Sequence, residues 1–187
     1  GFISDSTTYD SHIEQLSQHV NVLTIDLPGH GKDTSDMNDT WDFPYIAHAL
    51  DEVLSQYDMY DVYLLGYSMG GRVALYYALN GSVALRGLLL ESTSAGIQSE
   101  ADKVERVQVD AARAKVLEIA GLEIFVNDWE KLPLFRSQYE LDAEVRKAIR
   151  ANRMSQNPVR LAKALRDYGT GNICLLYTSD AADDSLR

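Results

Sequence analysis

The stretch that decides the fold is VYLLGYSMGGRVALYYAL, residues 62–79. Its beginning is an apolar run typical of a buried strand, and its end has the composition of a helix. Between them lies G-x-S-x-G with Ser68 at its centre, which is the pattern of a nucleophile elbow. We expect the small residues Gly66 and Gly70 to let the turn close without a Cβ clash. The alternative is an ordinary tight turn in which Ser68 has no catalytic role.

An elbow of this kind would place Ser68 at the end of the sheet, at the N-terminus of the following helix. There the backbone N–H of Met69 would be directed at a developing oxyanion. The pattern therefore predicts a catalytic serine at position 68.

Composition and charge limit the classes of partner. The 187 residues are 45% hydrophobic and 24% charged, as in a globular domain with a sizeable core. The formal net charge of −11 argues against nucleic acid or an anionic membrane surface as the main partner. No run has the length of a transmembrane helix, and the first residues are not a signal peptide. A small-molecule partner is the remaining expectation, and oligomeric state is not indicated.

Cysteine usage and motifs bear on compartment and cofactors. The single cysteine, Cys174, allows no internal disulfide and favours a reducing compartment, so we expect a cytoplasmic protein. The sequence has no G-x-G-x-x-G after a strand and no metal-spaced set of histidines or carboxylates. We therefore predict neither a cofactor nor a metal.

The rest of the N-terminal part alternates between helical and strand-like patterns. Helices are predicted at 7–19 and 43–57, and strands at 20–26, 62–67 and 85–91. Each strand is a nearly continuous apolar run, which is typical of parallel strands covered by helices on both faces. The sequence therefore predicts an α/β fold with a parallel sheet.

From about residue 99 the strand-like runs give way to charged helical segments. An all-helical block after a strand predicts a lid inserted over the carboxyl end of the sheet, after the third visible strand. The alternative is a set of independent surface helices whose arginines lie on solvated faces. The predicted helices are 100–119, 122–129, 141–154 and 159–166, and the predicted units are the N-terminal core 1–95, the lid 96–167 and a return to the core at 168–173.

The last residues, 174–187, have a different character. They resemble the conceptual translation of a transposase-type sequencing adapter, so we predict that this tail is non-native. The alternative is a short strand at 173–178 followed by a polar tail. Reading the source DNA across codon 174 distinguishes the two.

Three motifs together indicate a family. Gly1-Phe2 resembles the end of an H-G-F oxyanion loop, DLPGHG at 26–31 resembles the turn after the fourth strand of α/β-hydrolases, and GYSMGGR at 66–72 matches the elbow. Arg72, four residues after the serine, narrows the resemblance to the 2-succinyl-6-hydroxy-2,4-cyclohexadiene-1-carboxylate synthase family. These enzymes are lyases of menaquinone biosynthesis with the α/β-hydrolase fold. The resemblance covers residues 1 to about 172 and implies a partial α/β-hydrolase fold with a helical lid.

The resemblance also implies a reaction and a site. Such an enzyme eliminates pyruvate from a cyclohexene that carries several carboxylates, and its serine and histidine remove a proton without forming an acyl-enzyme. The implied roles are a catalytic serine at Ser68, oxyanion-hole amides at Phe2 and Met69, carboxylate ligands at Arg72, Arg106 and Arg153, and pocket walls at Tyr67 and Trp129. Arg150 is the alternative to Arg153, because the alignment is ambiguous there.

The arginines give independent support of unequal strength. Arg72 lies one turn into the helix behind Ser68, where a guanidinium is costly unless an anion meets it. A fatty-ester pocket would not favour it, although a surface salt bridge is the other possibility. Arg106 and Arg153 taken alone would be interpreted as solvated surface residues, and only the resemblance assigns them to the substrate.

Two other function classes stay open. The elbow permits an α/β-hydrolase that acts on esters or thioesters, and a non-catalytic binding protein could use the pocket under the lid. All four histidines, at positions 12, 19, 30 and 48, precede Ser68, whereas the order in this fold is serine, acid, histidine. We therefore expect the chain to lack the triad acid and histidine and to be inactive by itself, since losing the triad costs on the order of 10⁴–10⁶ in rate. In this fold a further strand lies between the strands 20–26 and 62–67 in the sheet, and we expect that central strand to be absent from this chain.

Overall fold

The computed structural model describes residues 1–57 and 59–173. Helices dominate, and two strands form a small sheet. The elements in chain order are α1 (Asp10–Leu16), α2 (Phe43–Leu54), β1 (Val62–Tyr67), α3 (Met69–Asn80), β2 (Leu85–Glu91), α4 (Glu100–Ile119), α5 (Gly121–Trp129), α6 (Ala143–Met154) and α7 (Pro158–Tyr168), with 3₁₀ turns at Ser6–Tyr9, Ser55–Tyr57, Pro133–Glu140 and Thr170–Asn172.

The two strands pair in parallel, as the sequence predicts. Val62 pairs with Leu85 at one end and Tyr67 with Glu91 at the other. Helix α3 makes the crossover between them and packs on both strands. The β1–α3–β2 unit is therefore the part of an α/β fold that carries the elbow.

The predicted strand at 20–26 is not formed in the described part of the chain. The sheet there consists of β1 and β2 alone. A strand needs a neighbour whose backbone groups can complete its ladder, and residues 20–26 have no such neighbour among those described. The predicted strand is therefore wrong for this structure, although the apolar run that indicated it is present.

Helices cover one face of the strand pair within the described residues, where the sequence predicts cover on both faces. Tyr63 and Leu65 are 59% and 49% exposed, whereas Gly66 is buried against α3. Side chains alternate across a strand, so these two residues share the uncovered face. No helix among residues 1–57 and 59–173 packs against it.

The buried apolar side chains of the described residues form two clusters. One lies between α2, α3 and the strands and includes Trp41, Ile46 and Tyr77. The other lies among helices α4 to α7, called the helical block below, and includes Leu117, Val126 and Leu161. Phe2 packs against both clusters, so the first residues of the chain join the sheet region to the helical block.

The helical block leaves the sheet region and returns to it at adjacent points. The N–H of Ile97 donates to the carbonyl of Ile173 at 3.4 Å. All four predicted helices are found, and α4 has the predicted limits. The sequence missed the 3₁₀ turn at Pro133–Glu140, and the limits of the units 1–95, 96–167 and 168–173 stay predictions. The tail at 174–187 lies outside the described residues.

The helix limits follow from capping and packing. Ser99 accepts a hydrogen bond from the N–H of Asp102 at the start of α4, and Asn157 accepts from two N–H groups at the start of α7. Pro158 is the first residue of α7, where a missing N–H costs nothing. No described helix is both long and apolar enough to cross a bilayer.

Ser68 has a backbone conformation that few non-glycine residues adopt, with φ 53° and ψ −116°. Hydrogen bonds hold it on both sides. Its N–H donates to the carbonyl of Glu91 at 2.9 Å, and its carbonyl accepts from the Thr93 hydroxyl at 2.7 Å. Such a conformation costs on the order of 1–3 kcal/mol and persists where the surroundings fix it. The predicted sharp turn between strand and helix is confirmed.

The glycines of the elbow have different roles from those that the motif suggests. A Cβ on Gly66 would lie 2.5 Å from the carbonyl oxygen of Gly70, so glycine is required there. A Cβ on Gly70 would meet nothing within 4 Å, so the expectation that Gly70 prevents a clash is wrong. Gly71 is the second restricted position, because its Cβ would lie 2.6 Å from the Thr93 side chain. At Gly71 the turn therefore packs closely against Thr93, just after the end of β2.

Substitutions at the two adjacent glycines test this assignment. In the protein translated from the complete gene, called the whole protein below, Gly71→Ala should lower the free energy of unfolding by about 1–3 kcal/mol through overpacking against Thr93. Gly70→Ala should be neutral or slightly stabilising, because alanine is preferred in helices by roughly 0.5–1 kcal/mol. Urea unfolding of the two variants measures the difference. Equal losses would contradict the packing.

Candidate active site

The first residues of the chain pack on the elbow. A Cβ on Gly1 would lie 2.9 Å from the Tyr67 ring and 3.6 Å from the Cβ of Ser68. Phe2 directly follows Gly1 in the chain, so the Phe2 amide lies close to the elbow serine. Neither this amide nor that of Met69 donates a backbone hydrogen bond within the described residues, which leaves both available to a ligand. The oxyanion-hole roles of Phe2 and Met69 stay predictions, and this geometry allows them.

Arg72 is a buried cation without a bound partner. It is 8% exposed, and it forms no ion pair among the described residues. Its Nε is buried and has no hydrogen-bond partner there. Burial, followed by the charge of Arg106, lowers the pKa of Arg72 to about 10, so its guanidinium is still charged at pH 7. A buried charge in this state has a strong tendency to bind an anion.

Helix α4 brings a second arginine to the same region. Arg106 is close enough to Arg72 for its charge to lower the pKa of Arg72. The Nε of Arg106 donates to both carboxylate oxygens of Asp110 at 3.0 Å. No other hydrogen bond from the Arg106 side chain occurs in the described part of the chain, so its outer nitrogens are available. Arg106 and Arg72 therefore lie in the same region, and their roles as carboxylate ligands stay predictions.

Trp129 belongs to an aromatic cluster that reaches the start of the chain. Its ring centroid is 5.4 Å from that of Phe2 and 5.6 Å from that of Phe125. The guanidinium of Arg113 lies over it, 5.4 Å from the centroid. Since Phe2 follows Gly1, which packs on Tyr67 and Ser68, Trp129 lies near the elbow. Its predicted position at the edge of a pocket agrees with these contacts.

Arg153 is placed differently from Arg72 and Arg106. It is 7% exposed, and its Nη1 pairs with Glu130 at 3.0 Å. Its guanidinium lies 4.8 Å from the centroid of Phe135, which contacts Trp129. Phe135 therefore lies between Arg153 and Trp129, and Arg153 is already paired with a carboxylate. No contact in the described residues joins it to Arg72.

Arg150 shares the carboxylate of Arg153. Its Nη1 donates to the other oxygen of Glu130 at 2.6 Å, and its Nη2 donates to Asn127. The Arg150 side chain is 38% exposed, whereas that of Arg153 is 9% exposed. Burial therefore favours Arg153 over Arg150 as the residue that faces the interior, and its role toward a substrate stays a prediction.

His30 does not serve Ser68. Its Nδ1 lies 3.2 Å from the Pro28 carbonyl and 3.1 Å from the Tyr168 hydroxyl, which donates to the same carbonyl. Burial lowers the pKa of His30 to about 4, so its ring is neutral at pH 7. The ring packs edge-on against Phe2, with centroids 5.7 Å apart. The polar contacts of His30 are therefore with its own turn and with Tyr168.

A base for Ser68 is not found in the described residues. No side chain of residues 1–57 and 59–173 forms a hydrogen bond with the Ser68 hydroxyl. The same residues contain no group of three or more histidine, cysteine, aspartate or glutamate side chains that could hold a metal ion. The described part of the site therefore positions a serine and a cationic pocket without a catalytic base.

Sequence reasoning missed three residues that position the site. Thr93 fixes the Ser68 carbonyl, Tyr168 fixes His30, and Asp110 binds Arg106. Asp110 follows Arg106 by four residues and precedes Arg113 by three, and this spacing on a helix is a visible signal. The contacts of Thr93 and Tyr168 join distant parts of the chain and leave no such signal.

Comparisons with known proteins agree with this geometry. The family model described as the alpha/beta hydrolase family matches residues 1–186. A 2-succinyl-6-hydroxy-2,4-cyclohexadiene-1-carboxylate synthase of Salmonella agona (strain SL483) is 34% identical over 187 residues, which are 100% of this chain and 68% of the relative. A Bacillus subtilis (strain 168) relative, whose name assigns the same activity provisionally, is 32% identical over 173 residues.

A solved structure shows the same similarity. MenH from S. aureus matches with a TM-score of 0.94 and 58% identity, over 96% of this chain and 67% of that one. The Bacillus match covers 92% of this chain and 63% of the relative, so the chain spans less than two thirds of that protein's length. The chain belongs to the alpha/beta hydrolase family, and within it the chain resembles the 2-succinyl-6-hydroxy-2,4-cyclohexadiene-1-carboxylate synthases.

Proposed function

We propose that the whole protein is the lyase of menaquinone biosynthesis that eliminates pyruvate from 2-succinyl-5-enolpyruvyl-6-hydroxy-3-cyclohexene-1-carboxylate. A proton is removed from the ring, and the bond between the ring carbon and the enolpyruvyl oxygen breaks, which leaves a cyclohexadiene. The pyruvate enolate that is released takes up a proton at its methylene carbon and becomes pyruvate. Relatives that carry the name of this synthase at 32% and 34% identity support the proposal. The small anionic substrate suits a protein of the cytoplasm, which is where we propose that it acts.

The observation that carries the proposal is the buried, unpartnered guanidinium of Arg72 one turn behind Ser68. A hydrolase pocket for a neutral ester gains nothing from such a charge, because its desolvation is not offset. A substrate with several carboxylates supplies the missing anion, and arginine binds carboxylates through two parallel hydrogen bonds. The charge therefore favours the lyase over an esterase or thioesterase.

Each site residue has a proposed role. Ser68 would assist proton removal, activated by a histidine of the whole protein, because a free serine hydroxyl is a weak base at neutral pH. The amides of Phe2 and Met69 would stabilise the developing oxyanion. The remaining proposed roles are carboxylate binding by Arg72, Arg106 and Arg153 and pocket walls formed by Tyr67 and Trp129.

Assays with two substrates test the reaction class. The whole protein should release pyruvate from the polycarboxylate substrate and hydrolyse p-nitrophenyl esters slowly or not at all. Ser68→Ala should lower the rate of pyruvate release by on the order of 10⁴ or more, as loss of a triad serine does. Ser55→Ala, at the end of α2 and outside the site, is the control and should keep full activity.

The opposite pattern would overturn the proposal. Fast ester hydrolysis without pyruvate release would identify a hydrolase, and the absence of both activities from the whole protein would favour a binding protein. Pyruvate release that survives Ser68→Ala would remove the serine from the mechanism.

Replacing Arg72 by an apolar residue should separate stability from binding. Arg72→Met removes a buried, unpartnered charge, so the ligand-free whole protein should gain about 1 kcal/mol or more in its free energy of unfolding. The same change should raise KM for the polycarboxylate substrate about 30-fold or more, which corresponds to a lost charged contact of about 2 kcal/mol.

Arg86→Met is the matched control, because Arg86 is exposed on β2 and forms no ion pair with another described residue. It should change neither the unfolding free energy nor KM appreciably. If Arg72→Met destabilises the protein and leaves KM unchanged, the Arg72 guanidinium is a structural group and the carboxylate-binding role is wrong.

A further inference from the structure

Asp110 is the most buried carboxylate among the described residues. It is 2% exposed and lies on α4, facing α7 and the segment that follows it. A Cβ on Gly169 would lie 2.7 Å from its Oδ2, so the backbone at the end of α7 closes over the carboxylate. The carboxylate therefore lies between α4 and the end of α7, with almost none of its surface exposed.

Two arginines of the same helix bind this carboxylate. Arg106 donates from Nε to both oxygens at 3.0 Å, and Arg113 donates from Nη1 to Oδ1 at 3.3 Å. Hydrogen bonds between guanidinium and carboxylate groups are strong and directional, so they fix the orientation of both arginines. Asp110 thus sets the positions of two cationic side chains at once.

The two arginines lie in different parts of the site, Arg106 beside Arg72 and Arg113 on the Trp129 ring. Arg106 is held beside Arg72, whose pKa its charge lowers. Arg113 is held over the Trp129 ring at 5.4 Å, and that ring contacts Phe2. One buried carboxylate therefore connects the cationic pocket with the aromatic wall.

Charge balance in this group favours a multiply charged ligand. Arg72, Arg106 and Arg113 face a single carboxylate, Asp110, in the described residues. Asp110 uses the Nε of Arg106 and leaves its outer nitrogens without a hydrogen-bond partner there. The carboxylate therefore orients Arg106 without consuming the part of the guanidinium that can bind an anion.

We propose that Asp110 is a positioning residue that holds Arg106 beside Arg72 and Arg113 on Trp129, so that substrate carboxylates are bound by a preset pair of arginines. The proposal rests on the proposed function, because it deepens the account of the same site. Asp110 acts through the arginines and does not touch the substrate. Its loss should weaken substrate binding and leave the chemical step nearly unchanged.

Steady-state kinetics of the whole protein test this role. Asp110→Asn should raise KM for the polycarboxylate substrate about tenfold or more and change kcat less than about threefold, since uniform binding is lost. Glu118→Gln is the matched control on the same helix. It removes the ion pair of Glu118 with Arg166, away from the site, and should leave KM unchanged.

A double variant shows whether Asp110 acts through Arg106. Arg106→Gln combined with Asp110→Asn should have the same KM as Arg106→Gln alone, within about twofold, because Arg106 is the proposed carboxylate ligand that Asp110 holds. The double variant can still be measured if Asp110→Asn alone fails to fold. It removes the carboxylate together with its main partner, so no buried arginine charge is left without that carboxylate at position 106.

Tryptophan fluorescence provides a readout that does not depend on activity, and because Trp41 emits as well as Trp129, it is compared between variants that both keep Trp41. In Asp110→Asn, release of Arg113 from the indole should change the tryptophan emission relative to wild type, whereas Glu118→Gln should not. If the wild-type whole protein releases no pyruvate, the proposed function fails, and the emission still reports on the positioning of Arg113.

The contrary outcomes concern Asp110 alone. If the wild type is active, any of three results would overturn the proposal. The first is an unchanged KM in Asp110→Asn, and the second is that kcat and KM change equally in Asp110→Asn and in Glu118→Gln. The third is that the effects of Arg106→Gln and Asp110→Asn on KM are additive in the double variant. An unchanged emission would show that Asp110 does not hold Arg113 on Trp129.

Discussion

The arrangement of the site depends on one constrained residue, Ser68, whose backbone is held at φ 53° between two strands and a helix. The Glu91 carbonyl and the Thr93 hydroxyl bind it from the end of β2, and α3 starts directly after it. This fixed start of α3 determines where Arg72 lies, one helical turn later. Strain at the serine and burial of the arginine are thus consequences of the same turn.

The second constraint is charge. Arg72 is buried without an ion pair in the described residues, and Arg106 adds a further positive charge nearby. Asp110 offsets part of this charge and orients Arg106 and Arg113. Such an assembly is costly in the absence of a ligand and favourable when carboxylates enter, which is the usual relation between stability and activity at a binding site. Phe2 contacts Trp129 and His30, and Gly1 before it packs on Tyr67 and Ser68 of the elbow.

Local patterns predicted much of this structure, and long-range contacts explain the rest. The elbow follows from its motif, and the parallel pair β1–β2 and the helices of the block follow from periodicity. The family resemblance indicated that Arg72 and Arg106 belong to one site, and their binding roles stay predictions. The strand at 20–26 failed because a ladder depends on a neighbour that a local pattern cannot supply. Gly70 was assigned the role of Gly71 because the contact with Thr93 crosses from α3 to the end of β2. Asp110 was missed because helical spacing shows a neighbouring arginine and does not show burial.

In the mechanism that we propose, the charge of Arg72 is kept for a substrate carboxylate. A crystal structure of the whole protein with its cyclohexadiene product bound would show whether this is so. We expect a carboxylate oxygen within hydrogen-bonding distance of the Arg72 guanidinium, with a second contact from Arg106. If the carboxylates of the bound product lie away from an Arg72 that is still unpartnered, the charge of Arg72 does not bind the substrate.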